Sequence, residues 1–258
     1  MVMGRSTPWR RLAAGVSFLI LGALLVGAGT TMLVPNAGAQ ADAPVLREVG
    51  VIADPDEALT SSLADCSDVA ALQPGELSAV EDGQKAYVIN GEPSEARYVV
   101  EEELAGIGAN TAIGRTNAFI GQILLDDANM PVTCSRFDVD MRTLVSDESR
   151  RDNFLRGNTL QSDSYPVATF ILRTVEGLDG GLSSEEQTFT LIGDLVFRGQ
   201  TQLVAWEATA SLNGDNLSGS AFTSFLLEDY NIEKPIVGSV VSIADDLRLE
   251  VDIEASAN

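Results

Sequence analysis

From about Gln84 to the C-terminus, apolar and polar side chains exchange at every second position, the period of a strand with one dry and one wet face. The cleanest run is Arg136 to Met141, where Phe137, Val139 and Met141 alternate with Arg136, Asp138 and Asp140. Near the end of the chain Leu247, Leu249, Val251 and Ile253 alternate with Arg248, Glu250, Asp252 and Glu254. A third run sets Phe189, Leu191, Gly193, Leu195 and Phe197 against Thr188, Thr190, Asp194 and Arg198. Weaker alternation marks Ala96 to Leu104, Ala118 to Leu125, Val167 to Arg173, Thr201 to Ser211 and Ser218 to Phe225. About eight strands with turn residues between them predict an all-β fold. One-sided alternation throughout suits a closed or nearly closed up-and-down antiparallel barrel, with a two-sheet sandwich as the alternative.

One segment breaks the period. Ser146 can cap a helix, Asp147 and Glu148 fill its first turn, Arg156 sits in its last, and Gly157 offers a left-handed exit. A two- to three-turn helix between strands is expected there, with Phe154 and Leu155 turned inward to roof one end of the barrel. Ahead of the strands, residues 40–83 are acidic and broken by Asp54-Pro55-Asp56 and Gln73-Pro74-Gly75, which reads as a linker or an arm lying on the domain. Residues 1–39 run from Arg10 and Arg11 through an uncharged stretch, Leu12 to Val34, to the small triplet Ala37-Gly38-Ala39. This order makes an export signal, either cleaved after Ala39 or kept as a membrane-anchoring apolar helix. Both place the remainder, including a barrel domain over 84–258, outside the cytoplasm as a periplasmic, cell-surface or secreted domain.

Composition narrows the chemistry. The 258 residues contain no histidine, which removes Ser-His-Asp and Cys-His catalysis and histidine-ligated metals. Net charge is −22, so nucleic acid is not a partner, and the membrane is met only through the N-terminal apolar segment if that stays attached. Gly106, Gly108 and Gly114 lack the spacing of a nucleotide loop and read as a turn cluster. Glu101, Glu102 and Glu103 lack calcium-loop spacing and read as a solvated strand end. No catalytic constellation, metal site or cofactor motif emerges, although an enzyme using carboxylates or Tyr165 or Tyr230 is a third class to weigh. Cys66 and Cys134 fit neither a redox pair nor a zinc site; in an oxidising compartment they are a disulfide candidate, the other reading being two buried thiols.

What remains is apolar surface. Taken literally, the alternation turns Phe119, Ile123, Phe137, Val139, Met141, Phe170 and Leu172 inward, together with Phe189, Leu191, Leu195, Phe197, Phe222 and Phe225. With Phe154 above them, these side chains either fill the barrel or line a lumen for one slender ligand. A filled barrel would be a structural or adhesive module with no small ligand.

Four ordered blocks tilt the balance toward a lumen. An alternating strand at Phe137 leads into Arg151-Asp152 and Phe154-Leu155-Arg156, then Tyr165-Pro166-Val167-Ala168-Thr169-Phe170. Gly193-Asp194-Leu195-Val196-Phe197-Arg198-Gly199-Gln200-Thr201 follows, then Asp229-Tyr230-Asn231-Ile232 and Leu249 to Ala255. Together they resemble the YceI-like family of polyisoprenoid- and lipid-binding proteins, from about Tyr87 to Ala255. The resemblance implies an exported, extended, eight-stranded lipocalin-like barrel whose apolar channel takes an isoprenoid or other lipid. Histidines common in that family are absent: Glu95-Ala96-Arg97-Tyr98 stands near the first strand, and Phe154 takes the helix position. That leaves Arg97, Arg142, Arg150 and Arg151 as candidate headgroup partners, surface ion pairing being the competing role.

Overall fold

A computed structural model describes residues 46–235 and 240–258; the expected leader lies outside the described residues, as do the first residues of the arm. The strands are β1 (Gly50–Val51), β2 (Gln84–Ile89), β3 (Glu95–Leu104), β4 (Gly108–Thr116), β5 (Phe119–Asp126) and β6 (Arg136–Asp140). They continue with β7 (Val167–Glu176), β8 (Gln187–Phe197), β9 (Gln200–Asn213), β10 (Asn216–Leu226), β11 (Val240–Ile243) and β12 (Asp246–Ala257). Short helices are α1 (Glu57–Ser62), α2 (Ser67–Ala70) and α3 (Ser149–Phe154). None of the described helices is long and apolar enough to cross a membrane.

Eight strands close a ring in the order β9, β8, β7, β6, β5, β2, β12, β10, and β10 pairs back onto β9. Every pairing is antiparallel, so the expected closed barrel forms and the sandwich does not. Closure leaves no long unpaired edge in the ring. The β8–β9 hairpin turns on Arg198 and Gly199 at φ 48° and 71°, the pair of left-handed residues that a two-residue turn between twisted strands requires. At one end β12 exchanges partners: Ala255 to Ala257 pair with β2, whereas Arg248 to Asp252 pair with β3. The β3–β4 hairpin thereby extends the wall past the ring, and β4 is joined onward by the Arg115–Val145 bridge.

Strand β4 is a departure from the expected turn cluster. Gly106 and Gly108 do shape the turn, at φ 78° and 98°, but Gly114 lies within the strand, under the ring of Tyr98. Small residues along Gly108 to Thr116 hide the alternation that longer side chains would display. The helix is shorter than expected too. Glu148, not Ser146, caps α3, its carboxylate accepting from the Arg150 amide at 2.9 Å. Gly157 falls inside a π-helical turn, Leu155–Thr159, and Gln161 at φ 50° takes the left-handed position instead.

The arm over residues 46–83 wraps the outside of the barrel. β1 pairs with β9 at Gly50 and Ala205, beyond the Phe222–Glu207 pair where β10 leaves β9. Asp56 caps α1, accepting from the Leu59 amide at 2.7 Å, and so aims Leu59 at the barrel. There Leu59 is buried against Ile192 and Ala205, outward-facing side chains that are fully covered as a result. Cys66 and Cys134 are joined in a disulfide with their Cα atoms 5.3 Å apart. Next to it the expected wet face of β6 is dry: Arg136 and Asp138 are both buried. They pair with each other at 3.2 Å, and the arm supplies further partners. Arg136 donates from Nη1 to the Val69 and Leu72 carbonyls, each at 2.9 Å, and Asp138 accepts from the Gly75 amide at 2.6 Å. Buried charges need such partners, so the arm and this strand depend on one another.

Candidate ligand-binding lumen

The barrel is hollow. A cavity of 810 Å³ runs along the inner faces of β3, β6, β7 and β12, within the range of small-molecule sites. Its walls come from the inward set of each strand, among them Ala96, Tyr98 and Val100 on β3 and Leu247, Leu249 and Val251 on β12. Helix α3 and the π turn roof it with Phe154, Leu155 and Leu160. Ile107, on the β3–β4 turn, both lines the cavity and is 76 % exposed, which marks an open mouth beside that turn.

Charge enters this apolar space at the roof. Glu102, expected to be solvated, is buried at the inner wall, where it accepts from Arg151 Nη2 at 2.9 Å and Asn110 Nδ2 at 2.8 Å. Arg151 also donates to Asp147 at 2.6 Å. The buried Asp152 accepts from the Ser146 amide and hydroxyl at 3.0 and 2.6 Å, and Arg156 donates to the Leu144 carbonyl at 2.8 Å. The Arg151–Glu102 pair fixes the roof to the wall, and the other contacts brace the roof segment internally. The Tyr98 hydroxyl lies in the same corner, near Ser146, without a well-formed hydrogen bond. Burial pushes it up to about 12, with the nearby charge of Arg151 pulling the other way.

Of the residues expected to face a lumen, Phe137, Val139, Met141, Phe170, Leu195 and Phe197 line the large cavity, with Phe154 in the roof. Ile123, Leu172, Phe189 and Leu191 line a second, smaller cavity of 80 Å³, which Phe137 and Phe170 also touch. Three do not line either. Phe119 is buried in the wall against Phe137, and Phe225 packs on Tyr230 with ring centroids 4.6 Å apart. Phe222 sits on the outer face with Arg248 over its ring at 3.7 Å. On β10 the inward set contains Leu217, Thr223 and Phe225, so strand parity alone excludes Phe222. Sequence reasoning also passed over Trp206 and Leu160, which line the cavity. Inward parity on β9 would have found Trp206; Leu160 follows an irregular turn and left no periodic signal.

The arginines divide by role. Arg97 faces outward between Glu95, Glu250 and Asp252, and Arg142 pairs with Asp140 at 2.7 Å, both in surface ion pairing. Arg151 is committed to Glu102 and Asp147. Arg150, on the roof helix, is exposed, lines the cavity and has no ion-pair partner among the described residues. Among those residues, too, no three acidic or cysteine side chains gather in a way that would hold a metal ion.

A closed eight-stranded antiparallel barrel around a roofed apolar hollow defines a lipocalin-like architecture. Within it, the chain belongs to the YceI-like domain family, whose model matches residues 87–255. A UPF0312 protein of Vibrio cholerae is 29 % identical over 173 residues, covering 61 % of this chain and 86 % of that one. A UPF0312 protein of Vibrio vulnificus is 26 % identical over 172 residues, with coverage of 64 % and 85 %. Among solved structures, Burkholderia cenocepacia BcnA superposes with a TM-score of 0.53 at 16 % identity, covering 65 % of this chain and 99 % of that chain. A polyisoprenoid binding domain from Saccharophagus degradans, implicated in plant cell wall breakdown, gives 0.52 at 15 %, with coverage of 67 % and 98 %. At those identities the two structures share the fold with this chain.

Proposed function

We propose that the protein is a non-catalytic carrier that works outside the cytoplasm and sequesters one long apolar amphiphile, a polyisoprenoid or similar lipid, in its barrel. The observation that carries this reading is the 810 Å³ cavity, lined mainly by aliphatic and aromatic side chains and open beside Ile107. Transfer of a chain into it gains about 0.8 kcal/mol per buried methylene, so a lipid tail provides the affinity and the mouth receives the polar end. Exposed Arg150, on the roof helix and on the lining of the cavity, suits an oxygen-bearing headgroup. The polyisoprenoid binding described for the Saccharophagus degradans domain of the same fold supports the ligand class. An export-type leader and the Cys66–Cys134 disulfide support the compartment.

Protein purified from its native source without detergent is expected to release a stoichiometric amphiphile on solvent extraction, and native mass spectrometry to show the matching mass increment. Repeated recovery of empty protein that also takes up no added prenol or fatty acid would remove the carrier reading.

A further inference from the structure

We propose that Phe137 and Phe170 form a partition across the lumen that sets the length of the chain it accepts, an inference resting on the carrier reading above. The two cavities, 810 and 80 Å³, have separate linings except for these two residues, which face both. Their ring centroids are 5.3 Å apart, and the row extends to Phe119 on one side, at 5.1 Å, and to Trp206 on the other, at 5.7 Å. Four strands therefore contribute an aromatic ring to one level of the barrel: β5, β6, β7 and β9.

The strand between the last two, β8, contributes Gly193 instead. A Cβ there would stand 2.2 Å from the Ile171 carbonyl oxygen and 2.7 and 2.9 Å from Cζ and Cε2 of Phe170, so the absent side chain leaves the space that both the neighbouring strand and the ring edge occupy. Seated in it, Phe170 is 3 % exposed and packs edge-on against Trp206. A ring held on three sides does not swing aside for a flexible chain end without vacating that recess. The tail of a ligand entering beside Ile107 stops at this level.

The room above the partition fixes the ligand class more narrowly than "lipid". At about 30 Å³ for each water-sized group, the large cavity holds on the order of 25 chain atoms, or about five isoprene units. Longer chains leave their excess outside the mouth, where it gains nothing.

The test measures binding of prenyl alcohols of about two to about eight isoprene units to the delipidated full chain, by displacement of a fluorescent fatty acid. Affinity is expected to rise with length, by up to about fourfold per buried methylene, and to level off near about five units. In Phe170→Ala the emptied ring space joins the 80 Å³ chamber, and the plateau moves outward by roughly six to nine chain atoms. Phe170→Leu and Phe137→Leu, which keep more of the packing, move it in the same direction by less and carry the test if the alanine variant does not fold. Phe197→Leu, in the large cavity alone, opens no way into the 80 Å³ chamber and moves the plateau less than Phe170→Leu does. A plateau that stays fixed in both Phe170→Leu and Phe137→Leu overturns the partition. Wild-type protein that binds no alcohol of any length overturns the carrier reading instead.

Discussion

The carboxylate of Glu102, on the inner wall of the lumen, meets the guanidinium of Arg151, on the helix that roofs it, at 2.9 Å with their side chains 5 % and 18 % exposed. Two chain segments 49 residues apart are thus clasped by a shielded ion pair at the edge of an apolar cavity. Removing one partner leaves the other charge without its counter-ion in a desolvated corner. Glu102→Ala is expected to cost about 1–3 kcal/mol in urea unfolding, Asp147 retaining part of the Arg151 interaction. It should also speed ligand release, because the roof loses its tie to β3. Unchanged stability together with an unchanged release rate would show that the clasp holds nothing.

The disulfide between Cys66 and Cys134, 68 residues apart, ties an arm with little core of its own to the barrel and encloses β2 to β5 in its loop. Closing a loop of that size restricts the unfolded chain by about 4 kcal/mol on the chain-entropy account. Cys66→Ser with Cys134→Ser is expected to lose a large part of that in guanidinium unfolding. Because Leu59 and β1 still hold the first part of the arm, early proteolytic cleavage should fall between Leu63 and Gly83, with the barrel surviving as a fragment. Cleavage starting within β5 to β9 would mean that the barrel, not the arm, depends on the bond.

How far this molecule can be read from its sequence differs by element. The alternation from Arg136 to Asp140 and from Leu247 to Ile253 places Phe137, Val139, Leu247, Leu249 and Val251 on the inner wall without coordinates, because burial on one face of a pleat imposes a period of two. The same rule misleads for Arg136 and Asp138. Alternation identifies the side facing away from the lumen, but only the fold reveals that the arm covers it. Glu102 is misread for a related reason: in a run of three glutamates nothing local singles out the one whose parity points inward and whose partner comes from a distant helix. Phe222 is the plainer lesson, since it and Phe225 differ by an odd number and a regular strand cannot turn both inward. Hollowness is not written in the period at all. It depends on how far side chains from several strands reach across the interior, which only the packed structure shows.

Arg97 stands on the outer face of β3 within 3.1 Å of Glu250, 3.0 Å of Glu95 and 2.5 Å of Asp252. Arg97→Met leaves three carboxylates side by side in a chain whose net charge is −22. A loss of about 1–2 kcal/mol is expected at neutral pH and low salt, shrinking as added salt screens the acids. Glu250 is held below the usual carboxylate range, first by its hydrogen bond from Arg248 and also by that from Arg97. Asp140 is lowered by Arg142 in the same way. A depressed folded-state value means the stabilisation is complete above about pH 5 and fades as pH falls through about 4 and below. Melting temperatures between pH 3 and 7 should therefore fall on the acid side in wild type, and less steeply in Arg97→Met. Parallel curves would assign the acid lability to other carboxylates.

Tyr98 gives the matching test at the alkaline end, and it reports on the lumen directly. Its hydroxyl is pushed up to about 12 by burial, against about 10 for a free tyrosine. Between those values the folded chain keeps a proton that the unfolded chain releases, so this contribution to stability is intact below about pH 10 and is lost as pH rises toward 12. Tyr98→Phe removes both the late phenolate and that loss. Its neutral-pH stability should stay level or rise slightly, because the hydroxyl has no well-formed hydrogen bond in its buried site. Phenolate absorbance should show one fewer high-pH transition in the variant, and melting temperatures near pH 10.5 should favour the variant more than at pH 7. Filling the cavity excludes further water from the hydroxyl, so a bound prenyl alcohol should delay the wild-type Tyr98 transition and leave the variant's titration unmoved. A shift of equal size in Tyr98→Phe would place the ligand away from β3.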